Sequence, residues 1–246
     1  KLKWANKVII LDSNSTDDTV KIAKKFKNTN ITYSRKKLNY VSKLNYFIGK
    51  NKGKWLLILD ADYVLSNDLI KEFKRLDIKN LKKRKVTGFK IPIYNKIFNK
   101  VIKEDIYPGK ILLFKNFNCH FKQFGHSEKF FIKGKVLNAK GYIMHENFNE
   151  IKKFSIWKLN QSKYSELDSK RITKTKFINL RAQDKIRKFP PINIVLIIFY
   201  YVFLKKILIY GKSGCFYLFQ RLFYEILLSF WIIKIYLRKV KDFIRF

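Results

Sequence analysis

Apolar and polar blocks alternate from the start of the chain. KVIILD (7–12) is a short apolar run closed by Asp12 and reads as a buried strand. SNSTDDT (13–19) follows, and then Val20, Ile22, Ala23 and Phe26 recur at helical spacing. Ser15 and Asp18 have the spacing of a capping box, which predicts a helix from residue 16 onward. Residues 31–34 read as a second strand. Leu38, Val41, Leu44, Asn45 and Ile48 line one face of a helix over 38–51, with Gly53 after it. KWLLILDAD (54–62) is another buried strand running into carboxylates, and Ser66 can cap a helix over 67–76. Strand–helix alternation predicts a parallel sheet with helices packed on it.

From 86 to 145 the pattern changes. VTGFKIPIYN, KILLFKN, KFFIKGKVL and GYIMH are rich in β-branched and aromatic residues and read as strands, some antiparallel. Residues 149–185 are polar and helical, and Pro190-Pro191 marks a boundary. The segments 1–148, 149–189 and 190–246 are the expected units. After Pro191 an apolar stretch of 13 residues precedes Lys205-Lys206. A spanning helix needs about 20 apolar residues. Residues 215–237 are also apolar but carry Gln220, Arg221, Glu225 and Lys234. Two amphipathic helices lying on a membrane surface are expected; a buried aromatic hairpin is the plainer alternative.

Composition narrows the class. Aromatic residues make up 17% of the 246, which excludes a disordered chain, and Gly 9 with Pro 4 excludes a collagen-like one. Two cysteines, Cys119 and Cys215, fit a reducing compartment. Lys+Arg 54 against Asp+Glu 18 gives +36, a surface suited to phosphates on nucleotides, anionic lipid or nucleic acid. The joint abundance of Lys, Asn, Ile, Phe and Tyr is also what AT-rich coding produces, so charge alone does not assign a partner. The chain lacks an initiator Met and enters its first strand almost at once, as the interior of a longer protein would.

Chemistry concentrates at strand ends. Ligands of such sheets bind beyond the carboxyl ends of the strands, where Asp12, Asp60 and Asp62 stand. Asp60 and Asp62, two residues apart past a buried strand, can reach one divalent ion, and hard oxygen ligands suit Mg²⁺ or Mn²⁺ with substrate phosphates. The plainer reading of this DxD is a solvated turn. Asp12 can accept from a base or ribose, with Ser13 shaping the loop that follows.

VIILDSNSTDDTVKIA resembles the D-S-x-S-x-D-x-T signature of family 2 glycosyltransferases. KLNYFIGKNKGKWLLILDAD is similar to that family's N-x-A-x₄-A-x-G-x-W-x₄-D-A-D stretch, with Asn45 in its Asn position. FGHSEKFFIKGKVLNAKGYIMH resembles the H-E…G-x-V…L…H segment of bacterial lipopolysaccharide-core and capsule sugar transferases. LNQSKYSEL matches their helix ending in a Tyr-Ser pair, and Gly211 and Gly214 match their C-terminus. The resemblance implies an α/β GT-A fold and inverting transfer from a nucleotide sugar to a glycan or glycolipid acceptor. That would occur peripherally at the cytoplasmic face of the inner or plasma membrane, on an anionic surface. Asp12, Ser13, Asn45 and Asp60 would bind the donor. Asp60, Asp62 and His145 would hold Mg²⁺ or Mn²⁺. Glu128 would be the general base. The plainer alternatives are a surface Glu paired with lysine and a strand-end His bonded to backbone.

Some positions depart from the family. Its opening strand, a central one, and the loop after it are missing here. Leu44 stands where relatives carry Lys or Arg, with Lys43 the candidate substitute; Tyr63 replaces a Glu after DAD; Ser127 separates His126 from Glu128. Two other readings remain: a degenerate relative without turnover, and a basic nucleic-acid binder. No RNA-binding signature, zinc spacing or helix-turn-helix pattern supports the latter, so nucleic acid is not the expected partner.

Overall fold

The computed structural model describes residues 2–33, 39–103, 109–146 and 154–244. It is a mixed α/β body followed by a helical C-terminal unit. Strand β1 (Val8–Asp12), helix α1 (Thr19–Lys24) and β2 (Thr29–Tyr33) form a crossover unit, with β1 and β2 parallel and Val8 opposite Thr29. Helix α2 (Tyr40–Lys50) is capped by Asn39, whose side chain accepts from the Ser42 N–H at 2.8 Å, and it buries Val41, Leu44 and Ile48 at the expected spacing. Residue 38, expected at its start, lies outside the described residues, as does residue 34 of the second strand.

Two four-stranded sheets carry the rest. One has the order β11 (Lys135–Asn138), β5 (Val86–Ile91), β8 (Lys110–Lys115), β3 (Trp55–Leu57). The other has the order β4 (Tyr63–Leu65), β12 (Ile143–His145), β6 (Ile93–Ile97), β7 (Lys100–Ile102). The chain passes from β5 in one sheet to β6 in the other through Pro92, which has no N–H to give a ladder. Helices α3 (Asn67–Lys74) and α4 (Ile78–Lys83) cover the main core, where Leu65, Leu69, Phe73, Phe89, Ile91 and Ile143 meet. Ser66 caps α3 as expected, accepting from the Leu69 N–H at 3.2 Å. A hairpin of β9 (Cys119–Phe124) and β10 (Ser127–Ile132) stands as a separate ribbon.

Three local expectations are corrected. The first strands do not form one parallel sheet. β1 pairs with β2 alone among the described residues, while β3 runs antiparallel to β8. No described strand bridges them. The strand expected over 54–62 leaves its ladder after Leu57, although the Ile58 N–H still bonds the Leu112 carbonyl at 2.9 Å. The capping box of Ser15 and Asp18 does not form, and α1 starts at Thr19 rather than 16. The cause is competition: the Ser15 hydroxyl donates to the buried Asp12 carboxylate instead.

Beyond 153 the chain is helical: α5 (Phe154–Lys174), α6 (Ala182–Arg187), α7 (Ile192–Phe199, continued by a π turn to Leu204) and α8 (Lys212–Ile244). Residues 147–153, which include the start of the helical extension expected from 149, lie outside the described residues. Helix α5 runs to Lys174 and does not end at Tyr164-Ser165. Packing crosses the Pro190-Pro191 boundary, with Ile172 of α5 in one cluster with Tyr224, Leu228 and Ile232 of α8. Between α5, α6 and α8 lies a buried polar network. Arg187 bonds Glu225 and Asp184, and Arg171 bonds the other Asp184 oxygen at 2.9 Å. Where α8 passes the turn before it, a Cβ on Gly214 would fall 1.9 Å from the Ile207 carbonyl oxygen, so only glycine allows that approach. Tyr201, Ile207 and Tyr217 pack on Ile97 and Ile102, seating this unit on the β6–β7 edge.

Candidate active site

The site is assembled from strand ends. Asp12 closes β1 and is 4% exposed. Its Oδ2 accepts the backbone N–H groups of Asn14 (2.9 Å) and Ser15 (3.0 Å), and its Oδ1 the Ser15 hydroxyl at 2.5 Å. These bonds, the Ser15 hydroxyl first, hold the Asp12 carboxyl below its ordinary value. Ser13, next in the loop, accepts from the Lys43 ammonium at 3.2 Å. The neighbour of Leu44 on α2 therefore does deliver a cation to this loop.

The DAD turn lies between β3 and β4. Asp60 Oδ1 accepts the Tyr40 hydroxyl at 2.9 Å, and the Asp60 charge also acts on the Tyr63 hydroxyl. Burial, and then the Asp60 charge, push both phenols well above their usual value, so they stay protonated donors. β12 pairs antiparallel with β4, with His145 opposite Tyr63 and the Glu146 N–H on the Asp62 carbonyl at 3.0 Å. That register brings His145 Nε2 to 2.8 Å from Asp62 Oδ2. Burial alone would raise the Asp62 carboxyl; the His145 bond and charge, with Lys110 beyond, outweigh it and leave the group below its ordinary value.

Glu128, on β10, is a largely buried carboxylate whose Oε1 accepts the Lys110 ammonium at 3.0 Å. The plainer reading of Glu128 thus finds its lysine, but that lysine also acts on Asp62, and the Glu128 charge is felt at the Tyr40 and Tyr63 hydroxyls. Asp60, Asp62, Glu128 and His145 therefore share one electrostatic neighbourhood. Asn45 stays outside it: its amide brackets Phe121, donating to the carbonyl at 2.9 Å and accepting the N–H at 2.8 Å. That geometry ties α2 to β9 and leaves the expected donor contact without its side chain.

Among the described residues no three His, Cys, Asp or Glu side chains form a ready cluster of metal ligands. Asp62 and His145 do offer a carboxylate oxygen and an imidazole nitrogen side by side. Such a pair fits Mn²⁺ better than the oxygen-preferring Mg²⁺, and either ion would fill its remaining positions with phosphate oxygens and water. Asp60, engaged by the Tyr40 hydroxyl, fits that role less well. Tyr40 and Lys110 join the site without a sequence signal of their own. They lie far from the DAD turn in sequence, and no local motif marks them.

The sequence model of Glycosyl transferase family 2 matches residues 5–119. Residues 5–119 form a family 2 glycosyltransferase domain. Such a domain has the Rossmann-like GT-A fold, in keeping with the mixed sheets and C-terminal helices seen here. It transfers a sugar from a nucleotide sugar to an acceptor. Asp12, Ser13, Asn45, Asp60 and Asp62 lie within the matched stretch of this glycosyltransferase, while Glu128 and His145 lie beyond it. No curated protein matches the chain.

Proposed function

We propose that this glycosyltransferase is an inverting, metal-dependent enzyme acting on a lipopolysaccharide-core, lipid-linked or other cell-surface glycan. The observation that carries the reading is the meeting of the DAD turn with Glu128 and His145 around Lys110. Asp12 and its loop, with Lys43 on Ser13, bind the nucleoside end of the donor. Asp62 and His145 would hold the divalent ion, whose contribution is to offset the charge of the departing diphosphate. Glu128 takes the proton from the acceptor hydroxyl as that oxygen bonds to the anomeric carbon. The bond from that carbon to the diphosphate oxygen breaks, and its electron pair leaves with the nucleoside diphosphate. One base and no protein nucleophile give inversion. Lys110 keeps the Glu128 carboxylate oriented until the hydroxyl arrives.

Peripheral binding to an anionic membrane at its cytoplasmic face belongs to the same reading. Phe203, Leu204 and Ile209 are exposed beside Lys205 and Lys206, and α8 presents Phe230 and Leu237 outward. Residues 212–242 are long and apolar enough to cross a membrane, but the charges on α8 favour lying along its surface.

The test is Mn²⁺-dependent hydrolysis of a panel of nucleotide sugars by the wild type and Asp62→Ala. Release of nucleoside diphosphate from one donor, lost in the variant, supports the reading and identifies the sugar. A folded protein that neither releases nor binds a nucleotide with metal would be the degenerate relative.

A further inference from the structure

We propose that His126, held by Asp168, is the positioning residue that fixes where Glu128 stands, a reading that rests on Glu128 being the proton acceptor. β9 and β10 bond to each other and to no other strand among the described residues. A two-stranded ribbon is marginally stable alone, so its placement depends on what grips it. One grip is on the inner face. There Asn45 brackets Phe121, and the Phe130 ring lies 4.4 Å from that of Phe114 and 4.6 Å from that of Phe121.

The other grip is at the tip. Asp168 of α5, 5% exposed, accepts the His126 backbone N–H at 3.2 Å on one oxygen and pairs with His126 Nδ1 at 2.7 Å on the other. The buried Tyr224 hydroxyl of α8 donates to that second oxygen. Gly125, at φ +64°, makes the tight turn, and a Cβ there would fall 1.7 Å from Asp168 Oδ1. The turn is therefore seated directly on the carboxylate. Around it, the Arg171 and Arg181 guanidiniums lie 4.3 and 4.2 Å from the centre of the Phe124 ring, and the His126 ring stacks on Tyr164 at 5.0 Å.

Glu128 stands between the two grips, two residues past His126. Strand alternation puts it on the inner face with Phe130. The helical unit thus sets the height of the tip, and the tip sets the reach of the carboxylate. A displacement of ~1 Å in a reacting group can cost ~100-fold in rate.

The experiment compares His126→Phe, Glu128→Gln and the double variant by steady-state kinetics, with hydrogen exchange on each. Phenylalanine keeps a ring against Tyr164 and removes the Nδ1 bond. The expected result for His126→Phe is a kcat lower by about 10- to 100-fold with the donor KM within about twofold. Exchange should quicken over 119–132 and not over 8–12 or 40–50. The double variant should be no slower than Glu128→Gln alone, because His126 acts through Glu128. A double variant slowed by the product of the two single effects overturns the proposal, as does unchanged exchange over the hairpin. A wild type that turns over no donor counts against the transferase reading instead. Exchange alone then decides whether His126 holds the hairpin.

Discussion

Glu128 and Asp62 each sit against a basic partner, and the partners differ in kind. Lys110 gives Glu128 an ammonium partner, while His145 offers Asp62 a ring that can share a metal. Replacing Glu128 with Gln keeps the shape and removes the proton acceptor. The expected loss in kcat is ~10²- to 10⁴-fold with nucleotide affinity retained, read by steady-state kinetics and by nucleotide titration. His145→Ala should instead weaken Mn²⁺-dependent binding of nucleoside diphosphate, and calorimetry with and without chelator measures it. At this scale the placement of the carboxylates was legible in the sequence: Asp12 closes β1, while Asp60 and Asp62 stand in the turn between β3 and β4 rather than at a strand end. Tyr40 and Lys110 come from α2 and β8, and only tertiary packing makes them neighbours of Asp60 and Glu128. Asn45 fits its motif, yet its amide serves β9.

Elements show the same division. Helix α2 follows from periodicity alone and α3 from periodicity and its Ser66 cap, whose hydroxyl keeps the Leu69 N–H while also accepting the Tyr142 N–H at 3.1 Å. Helix α1 is shorter than its pattern because Asp12 takes Ser15. β9 was not legible: His120, Lys122 and Gln123 are polar, and its inner face shows one buried residue, Phe121. What holds β9 is the Asn45 bracket. Asn45→Ala should therefore lower stability by about 1–3 kcal/mol, since it strands two backbone groups of a buried residue. Urea unfolding measures this, and the donor KM of the folded fraction should not change.

The whole molecule joins a nucleotide-binding half to a helical half through buried charge. Burial alone would raise the Asp168 carboxyl, but His126, Tyr224 and Arg171 together hold it down at about 2. A carboxyl lowered in the fold stabilises above its unfolded value, ~3.9, and that stabilisation disappears as pH falls towards the folded value. The acid limb of unfolding between about pH 4 and 2 should therefore flatten in Asp168→Asn, by roughly 2 kcal/mol across that window. Circular dichroism against pH reads it. On the outside, the lysines and exposed apolar residues of the last two helices predict binding to vesicles containing anionic lipid. That binding should weaken with added salt and in a Phe203→Ser/Ile209→Ser variant, as sedimentation with vesicles would show.

The separateness of the β1–β2 pair has a thermodynamic corollary. Asp12 rides on a ribbon that no described strand joins to the sheet of β3, whereas Asp62 and His145 belong to the main body. A donor that spans both would act as a cross-link between two parts that share no described ladder. Its binding energy would then appear as cohesion of the fold, so the melting temperature should climb with donor concentration as mass action requires. The nucleoside alone, reaching Asp12 but not Asp62, should leave it nearly unchanged.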